Sequence, residues 1–230
     1  MDAKNGMLYG VESLLRWYNP QLGHVSPLEF ISLAEEIGLI NQLGEFVLER
    51  SCEEISQHFP DSDLMLSINI SPMQLTNEMF VPQLLAAIAR HNLTSKRITL
   101  EITENVLIND LPKVTPIITQ LKELGFTISL DDFGTGYSSL SYLSNLSLDE
   151  LKKLTESLSI KMLTSEQSDS LVKAIMAIAQ SANMRVVAEG VETLAQKEVL
   201  INYGCDILQG YLIEKPIAAE LLVEKKYGSM

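Results

Sequence analysis

Acidic and amide side chains recur at the ends of apolar runs along this 230-residue chain. Glu12 lies within the first such run, Asn69 ends Leu66-Ser67-Ile68-Asn69, and Glu101 closes Ile98-Thr99-Leu100-Glu101. Asp131 and Asp132 follow Ile128-Ser129-Leu130, Glu189 follows Val186-Val187-Ala188, and Gln209 follows Ile207-Leu208. Taken singly, an acid in such a place can cap the next helix or close a turn. Together they mean more, because several carboxylates gathered in one place repel each other unless cations separate them or their pKa values rise. Hard oxygen donors without a cysteine or histidine cluster suit Mg²⁺ or Mn²⁺ rather than zinc. Two such ions, about 3.5–4 Å apart, could activate a water and stabilise an in-line displacement at phosphorus.

Other candidates for chemistry are weaker. His24, His58 and His91 fall in expected turns or at helix ends, away from the strand termini, and read as surface residues, which disfavours a histidine nucleophile. Gly134-Thr135-Gly136 could cradle a phosphate with backbone amides, although two glycines after a strand are commonly just a tight turn. Cys52 and Cys205 lack metal-ligand spacing and read as buried small apolar residues, not as a disulfide or a zinc site.

What must position the acids is a series of short β-rich runs, around Tyr9–Arg16, Leu64–Ile70, Arg97–Ile102, Phe126–Leu130, Glu150–Leu154, Arg185–Ala188 and Asp206–Leu208. Several look almost continuously apolar, as parallel strands covered on both faces do. Longer helical patterns alternate with them. Ser26-Pro27-Leu28-Glu29 predicts a helix start with an N-cap, a proline in the first turn and a capping-box glutamate. Leu171, Ile175 and Ile178, widened by Val172, Met176 and Ala179, form a stripe that reads as core.

The alternation fits an open doubly wound sheet or a closed barrel. In a barrel the C-terminal strand ends converge on one face, where active sites of that fold are built. Seven runs are one short of the barrel's eight strands, and a missing strand would most naturally lie before Met1. No repeat or linker divides the chain, so residues 1–230 read as a single domain.

Composition narrows the classes further. With 46% hydrophobic residues the chain can bury a substantial core. A formal charge of −13 argues against DNA or RNA binding, which needs Lys and Arg to neutralise phosphates. A small phosphate ester held through cations is compatible with it. No apolar run spans a membrane, and the segment from Met1 to Gly6 has no signal-peptide character, so the expected location is the cytoplasm.

Read together, these segments resemble the EAL phosphodiesterases. The family's name motif stands as Glu12-Ser13-Leu14, with serine for the usual alanine, within Glu12-Ser13-Leu14-Leu15-Arg16-Trp17. Further matches are Ser26-Pro27, Ala34-Glu35-Glu36-Ile37-Gly38-Leu39-Ile40, Asn69-Ile70-Ser71 and Leu100-Glu101-Ile102-Thr103-Glu104. The most specific is Asp131-Asp132-Phe133-Gly134-Thr135-Gly136-Tyr137-Ser138-Ser139-Leu140, followed by Ala188-Glu189-Gly190-Val191-Glu192 and Gln209-Gly210-Tyr211.

The resemblance implies an α/β fold, a modified (β/α)8 TIM-like barrel, here without its first strand. It implies hydrolysis of cyclic di-GMP to linear pGpG with two Mg²⁺ or Mn²⁺ ions. Their ligands would be Glu12, Asn69, Glu101, Asp131, Asp132 and Glu189, with Asp131 bridging. Glu104 would brace the loop after the paired aspartates, Gln209 would order the water network, and Arg16 and Leu14 would meet substrate. It also implies a homodimer, with sensory or cyclase domains often N-terminal to such a unit.

Two features depart from the family pattern. The usual first strand, with a Gln-Pro pair that contacts substrate, is not in the sequence. The segment from Asp149 to Ser159 has one residue too many where active members read Lys-Ile-Asp, so the lysine beside the attacking water maps to Lys152 counting forward and to Lys153 counting back. These departures keep open a second reading, a catalytically impaired cyclic di-GMP receptor or protein-interaction module.

Overall fold

The computed structural model describes residues 1–133, 146–152 and 166–225. Seven strands form one parallel sheet in the order β1 (Gly10–Ser13), β4 (Met65–Asn69), β5 (Ile98–Thr103), β6 (Thr127–Asp131), β7 (Glu150–Lys152), β8 (Arg185–Ala188), β9 (Ile207–Leu208). Each expected run contains one of them. The first is shorter than expected: after Ser13 the chain leaves the sheet, and β2 (Trp17–Asn19) pairs antiparallel with β3 (Gly23–Val25) in a separate hairpin that carries His24 on a strand. The hairpin's three-residue strands are too short to show a period of two.

Strand register explains what the apolar runs obscured. Neighbours at one register position share a face. Glu12 stands beside Ser67, Asn69 beside Glu101, Glu101 beside Ser129, Thr103 beside Asp131, and Ser129 beside Glu150. These residues belong to one alternating set that faces the inside of the curl. The other set, which includes Leu66, Ile68, Ile98, Leu100, Ile102, Ile128, Leu130 and Leu151, is buried against the helices. The strands are therefore largely polar inward and apolar outward, with Met65, Val187 and Ile207 as apolar members of the inward set.

Helices α1 (Pro27–Glu36), α2 (Ile40–His58), α3 (Pro72–Leu75), α4 (Phe80–Arg90), α5 (Glu104–Glu123), α6 (Glu166–Ser181), α7 (Leu194–Asn202) and α8 (Ala219–Glu224) accompany the sheet. Helix α1 starts where Pro27 sets it, but Ser26 makes no side-chain cap bond, so the capping box expected with Glu29 does not form. Full capping boxes form instead at Ser71 with Gln74 and at Thr193 with Gln196. Helix α5 is broken at Asp110, whose φ of −149° is non-helical, two residues before Pro112. In the α6 stripe Val172, Ile175, Met176 and Ala179 are buried, whereas Leu171 is exposed, so the apolar face is narrower than its spacing suggested.

Among the described residues the sheet does not close by strand pairing. At its seam, the edge of β9 accepts the first residues of the chain in an antiparallel bridge, Asp2 opposite Ile207, and the Met1 ammonium donates to the Leu208 carbonyl at 2.9 Å. Below the mouth, the Tyr9 hydroxyl donates to Glu150 at 3.2 Å, Arg185 pairs with the same carboxylate at 2.8 Å, and its guanidinium lies over the Tyr9 ring. That triad ties residues beside β1 to β7 and β8 across the interior.

Candidate functional site

Inward alternation delivers the polar residues of successive strands to one end of the curl. Glu12 accepts hydrogen bonds from Asn69 Nδ2 at 2.7 Å, from Gln209 Nε2 at 2.7 Å and from Lys152 Nζ at 2.9 Å. Lys152 also donates to Glu101 Oε2 at 2.7 Å and pairs with Glu189 Oε1 at 2.9 Å. Residues from β1, β4, β5, β7 and the segments after β8 and β9 thus form one connected network. Asp131 ends β6 facing the same interior, and its Oδ1 accepts from the Asp132 amide at 2.7 Å. That contact accompanies a left-handed backbone at Asp132, φ 60°, a conformation aspartate tolerates better than most residues.

Burial and crowded charge set the ionisation. For Glu101, burial is the largest influence and pushes its carboxyl up to about 8; Lys152 pulls the other way, while Glu12 and Asp131 add to the rise. Burial likewise pushes Asp131 up to about 6, opposed by Lys152 and reinforced by Glu189 and Asp132. Burial would raise Glu12 as well, yet Lys152 and the hydrogen bonds from Gln209 and Asn69 outweigh it and hold Glu12 below the ordinary carboxylate range. The two glutamates diverge because Glu12 collects three donors from separate strands. Burial disfavours the Lys152 charge, but Glu101, Glu12, Glu189 and Asp131 overcome that and raise its pKa.

Four carboxyls around one ammonium leave negative charge in excess, and every remaining donor is a hard oxygen. That chemistry suits a hard divalent cation. Thr99 Oγ1 and Ser129 Oγ, in the same inward set, are buried with no hydrogen-bond partner.

The other candidates lie around this network. Leu14 and Arg16 are exposed on the rim, and the Arg16 guanidinium donates to the Leu15 carbonyl at 2.8 Å. Glu104 is buried at the first turn of α5. Lys153 and Gly134-Thr135-Gly136 lie outside the described residues. A cleft of ≈ 1220 Å³ opens over the network, lined by Glu12, Leu14, Arg16, Glu101, Glu189 and Gln209, and continues along the seam past Tyr9 and Ile207. Part of that volume lies in the seam, lined by Ile55, Phe59, Ile213 and Leu222.

Sequence reasoning missed one contributor. Ser51 on α2 meets Ser13 Oγ at 2.5 Å, so the serine that replaces alanine in the name motif ties β1 to a helix. A lone serine in mid-helix carries no periodic signal. His58 and His91 are half-buried in pairs with Glu54 and Glu49, away from the network. Glu54, His58 and Glu220 also bring ligand atoms within 4.8 Å of one another. Arg50 already pairs with Glu54, which lowers that group's capacity for a cation.

Residues 1–216 match the family model of the EAL domain. The chain belongs to the EAL domain family. It is 41% identical over 224 residues to the bifunctional diguanylate cyclase/cyclic di-GMP phosphodiesterase MucR of Pseudomonas aeruginosa, covering 96% of this chain and 32% of that protein. It is 37% identical over 222 residues to the cyclic di-GMP phosphodiesterase NbdA of the same species, covering 96% and 28%. This EAL chain thus spans about a third of the length of these curated relatives. A solved structure of the MucR phosphodiesterase in complex with c-di-GMP superposes with a TM-score of 0.89 at 39% identity, covering 96% of this chain and 90% of that one. The seven-stranded parallel curl is accordingly an EAL (β/α)8-type barrel fold. Among the described residues no helix is long and apolar enough to cross a membrane.

Proposed function

We propose that this EAL chain hydrolyses one phosphodiester bond of cyclic di-GMP to give linear pGpG. The observation that carries the reading is the meeting of Glu12, Asn69, Glu101, Lys152, Glu189 and Gln209 in one connected network, buried at Glu101 and Lys152, exposed at Asn69 and open to a cleft at Glu189. Relatives named as cyclic di-GMP phosphodiesterases support the substrate.

Glu12, Asn69, Glu101, Asp131, Asp132 and Glu189 would hold two Mg²⁺ or Mn²⁺ ions, which when bound supply Lewis-acid activation of water and of the phosphoryl oxygens. The chain's own residues do the rest. Gln209 fixes Glu12 and orders the attacking water, Arg16 swings from the Leu15 carbonyl to a substrate phosphate, and Leu14 packs beside the ligand on the rim. Lys152 positions and polarises the attacking water through a hydrogen bond from its ammonium, and Glu104 braces the segment after Asp132. Lys153 is the neighbouring candidate for the lysine role.

The same reading takes residues 1–230 as one EAL unit. It would work in the cytoplasm as a homodimer, in a longer protein with sensory or cyclase domains, and without binding DNA.

Incubating the purified chain with cyclic di-GMP and Mn²⁺ and resolving the nucleotides tests the proposal; pGpG should accumulate and EDTA should stop it. The altered string between Asp149 and Ser159 favours a second reading, a receptor that binds without cleaving. Stoichiometric binding of cyclic di-GMP with no pGpG in Mn²⁺ would select it.

A further inference from the structure

Lys152 ends β7, and its ammonium stands where carboxylates from β1, from β5 and from the segment after β8 converge: 2.9 Å from Glu12, 2.7 Å from Glu101 and 2.9 Å from Glu189. A primary ammonium has three donors, and three carboxylate oxygens from separate segments match them. Among the described residues the side chain is one of the largest that are fully buried; Glu101 is buried with it, whereas Glu189 keeps 31% of its side chain exposed, which leaves the cage open to solvent on that side.

We propose that Lys152 is a tethered competitor for the divalent-ion site. Its ammonium holds Glu12, Glu101 and Glu189 together as one cage, and an ion gains these oxygens only as the ammonium withdraws. This rests on the two-ion reading above. An ion bound by these carboxylates would need oxygens that Nζ now holds. Ion–oxygen contacts of about 2.0–2.6 Å are shorter than those Nζ makes, so the carboxylates cannot serve both at once, and like charge adds to the exclusion. Withdrawal is open to lysine because its four-carbon stem is flexible and its three donors re-aim freely. The displaced ammonium stays tethered beside the cage, where the proposed chemistry needs a donor. Without it, four carboxyls would face one another across the barrel.

The test reads ion binding and lysine exposure apart from turnover. In the wild-type chain, reductive methylation of Lys152, separated from Lys153 by fragment mass spectrometry, should speed up several-fold when Mn²⁺ is added. Lys152→Met, which removes the like charge, should bind Mn²⁺ about tenfold tighter in calorimetry. In EDTA it should melt below the wild type, with the two proteins converging at saturating Mn²⁺. Unchanged methylation while Mn²⁺ is bound, or an affinity in Lys152→Met equal to or weaker than wild type, overturns the competition and leaves the two-ion reading standing. Absence of Mn²⁺ binding in both proteins overturns the two together. If Lys152→Met does not fold, the wild-type methylation result decides alone.

Discussion

Gln209 donates to Glu12 at 2.7 Å, joining residues 197 positions apart that belong to opposite edges of the sheet. The bond crosses the seam where β9 and β1 are not paired as strands. One side chain therefore spans the open side of the barrel and fixes a candidate ligand at the same time. Gln209→Ala should cost about 1.5–3 kcal/mol, the usual worth of a hydrogen bond to a charged group, and should weaken Mn²⁺ binding. Urea denaturation and a Mn²⁺ titration check the two effects, and an unchanged midpoint with unchanged affinity would remove this role from Gln209.

Glu12 and Asp131 approach the network from separate strands and are assigned to the ions rather than to substrate. Glu12→Ala or Asp131→Ala should abolish Mg²⁺- or Mn²⁺-dependent cleavage of cyclic di-GMP while the circular dichroism spectrum stays that of the wild type. Retained turnover in either folded variant overturns the two-ion assignment.

Beside Gln209, Gly210 adopts φ +155°, and a Cβ there would lie 2.2 Å from the Val191 amide nitrogen and 2.3 Å from its carbonyl oxygen. Those atoms are backbone, held by the Val191 amide's bond to the Gln209 carbonyl and the Leu212 amide's bond to the Val191 carbonyl, and cannot yield cheaply. Gly210→Ala should lose about 3 kcal/mol and displace Gln209. Its stability and Mn²⁺ affinity should fall together; a stable variant with wild-type affinity would show that the loop rearranges without loss.

Burial pushes the Cys52 thiol from 9.0 up to about 12 and the Cys205 thiol up to about 11. At pH 8 a thiol of ordinary pKa is roughly one-tenth thiolate, whereas at a pKa of about 12 the fraction is on the order of one in ten thousand. Both cysteines should resist Ellman's reagent at pH 8 until the chain unfolds, and then react with the kinetics of unfolding. The sign of the linked stability follows. The folded state keeps its thiol protons where the unfolded chain begins to lose them, so this contribution is complete below about pH 9 and is lost as pH rises towards 12. Prompt labelling of the folded chain would contradict the burial.

Several assignments were legible in the sequence for physical reasons. Parallel strands flanked by helices need an apolar outer face, so Ile98-Thr99-Leu100-Glu101 and Ile128-Ser129-Leu130 announce themselves, and the polar residues after them mark the strand ends. The inward set was also there to be read: Thr99 and Glu101, Ser129 and Asp131, and Ser67 and Asn69 alternate with the apolar residues at a strict period of two. Cap chemistry was less legible, because Ser26 has the right type and spacing but makes no cap bond, while Ser71 and Thr193 close full boxes.

The sequence by itself determined where the strands fall along the chain, the polar residue at each strand end and the family pattern they spell, since these depend on residue type and local period. Tertiary structure decided which groups meet. Counting residues left the lysine open between Lys152 and Lys153; the pleat turns Lys152 inward, where it touches Glu12, Glu101 and Glu189, and Lys153 is outside the described residues. Strand curvature brought Gln209 to Glu12 across the seam, and packing brought Ser51 to Ser13. Contacts between residues tens to hundreds of positions apart have no local signal, because they arise from how the sheet twists and closes rather than from any stretch of chain.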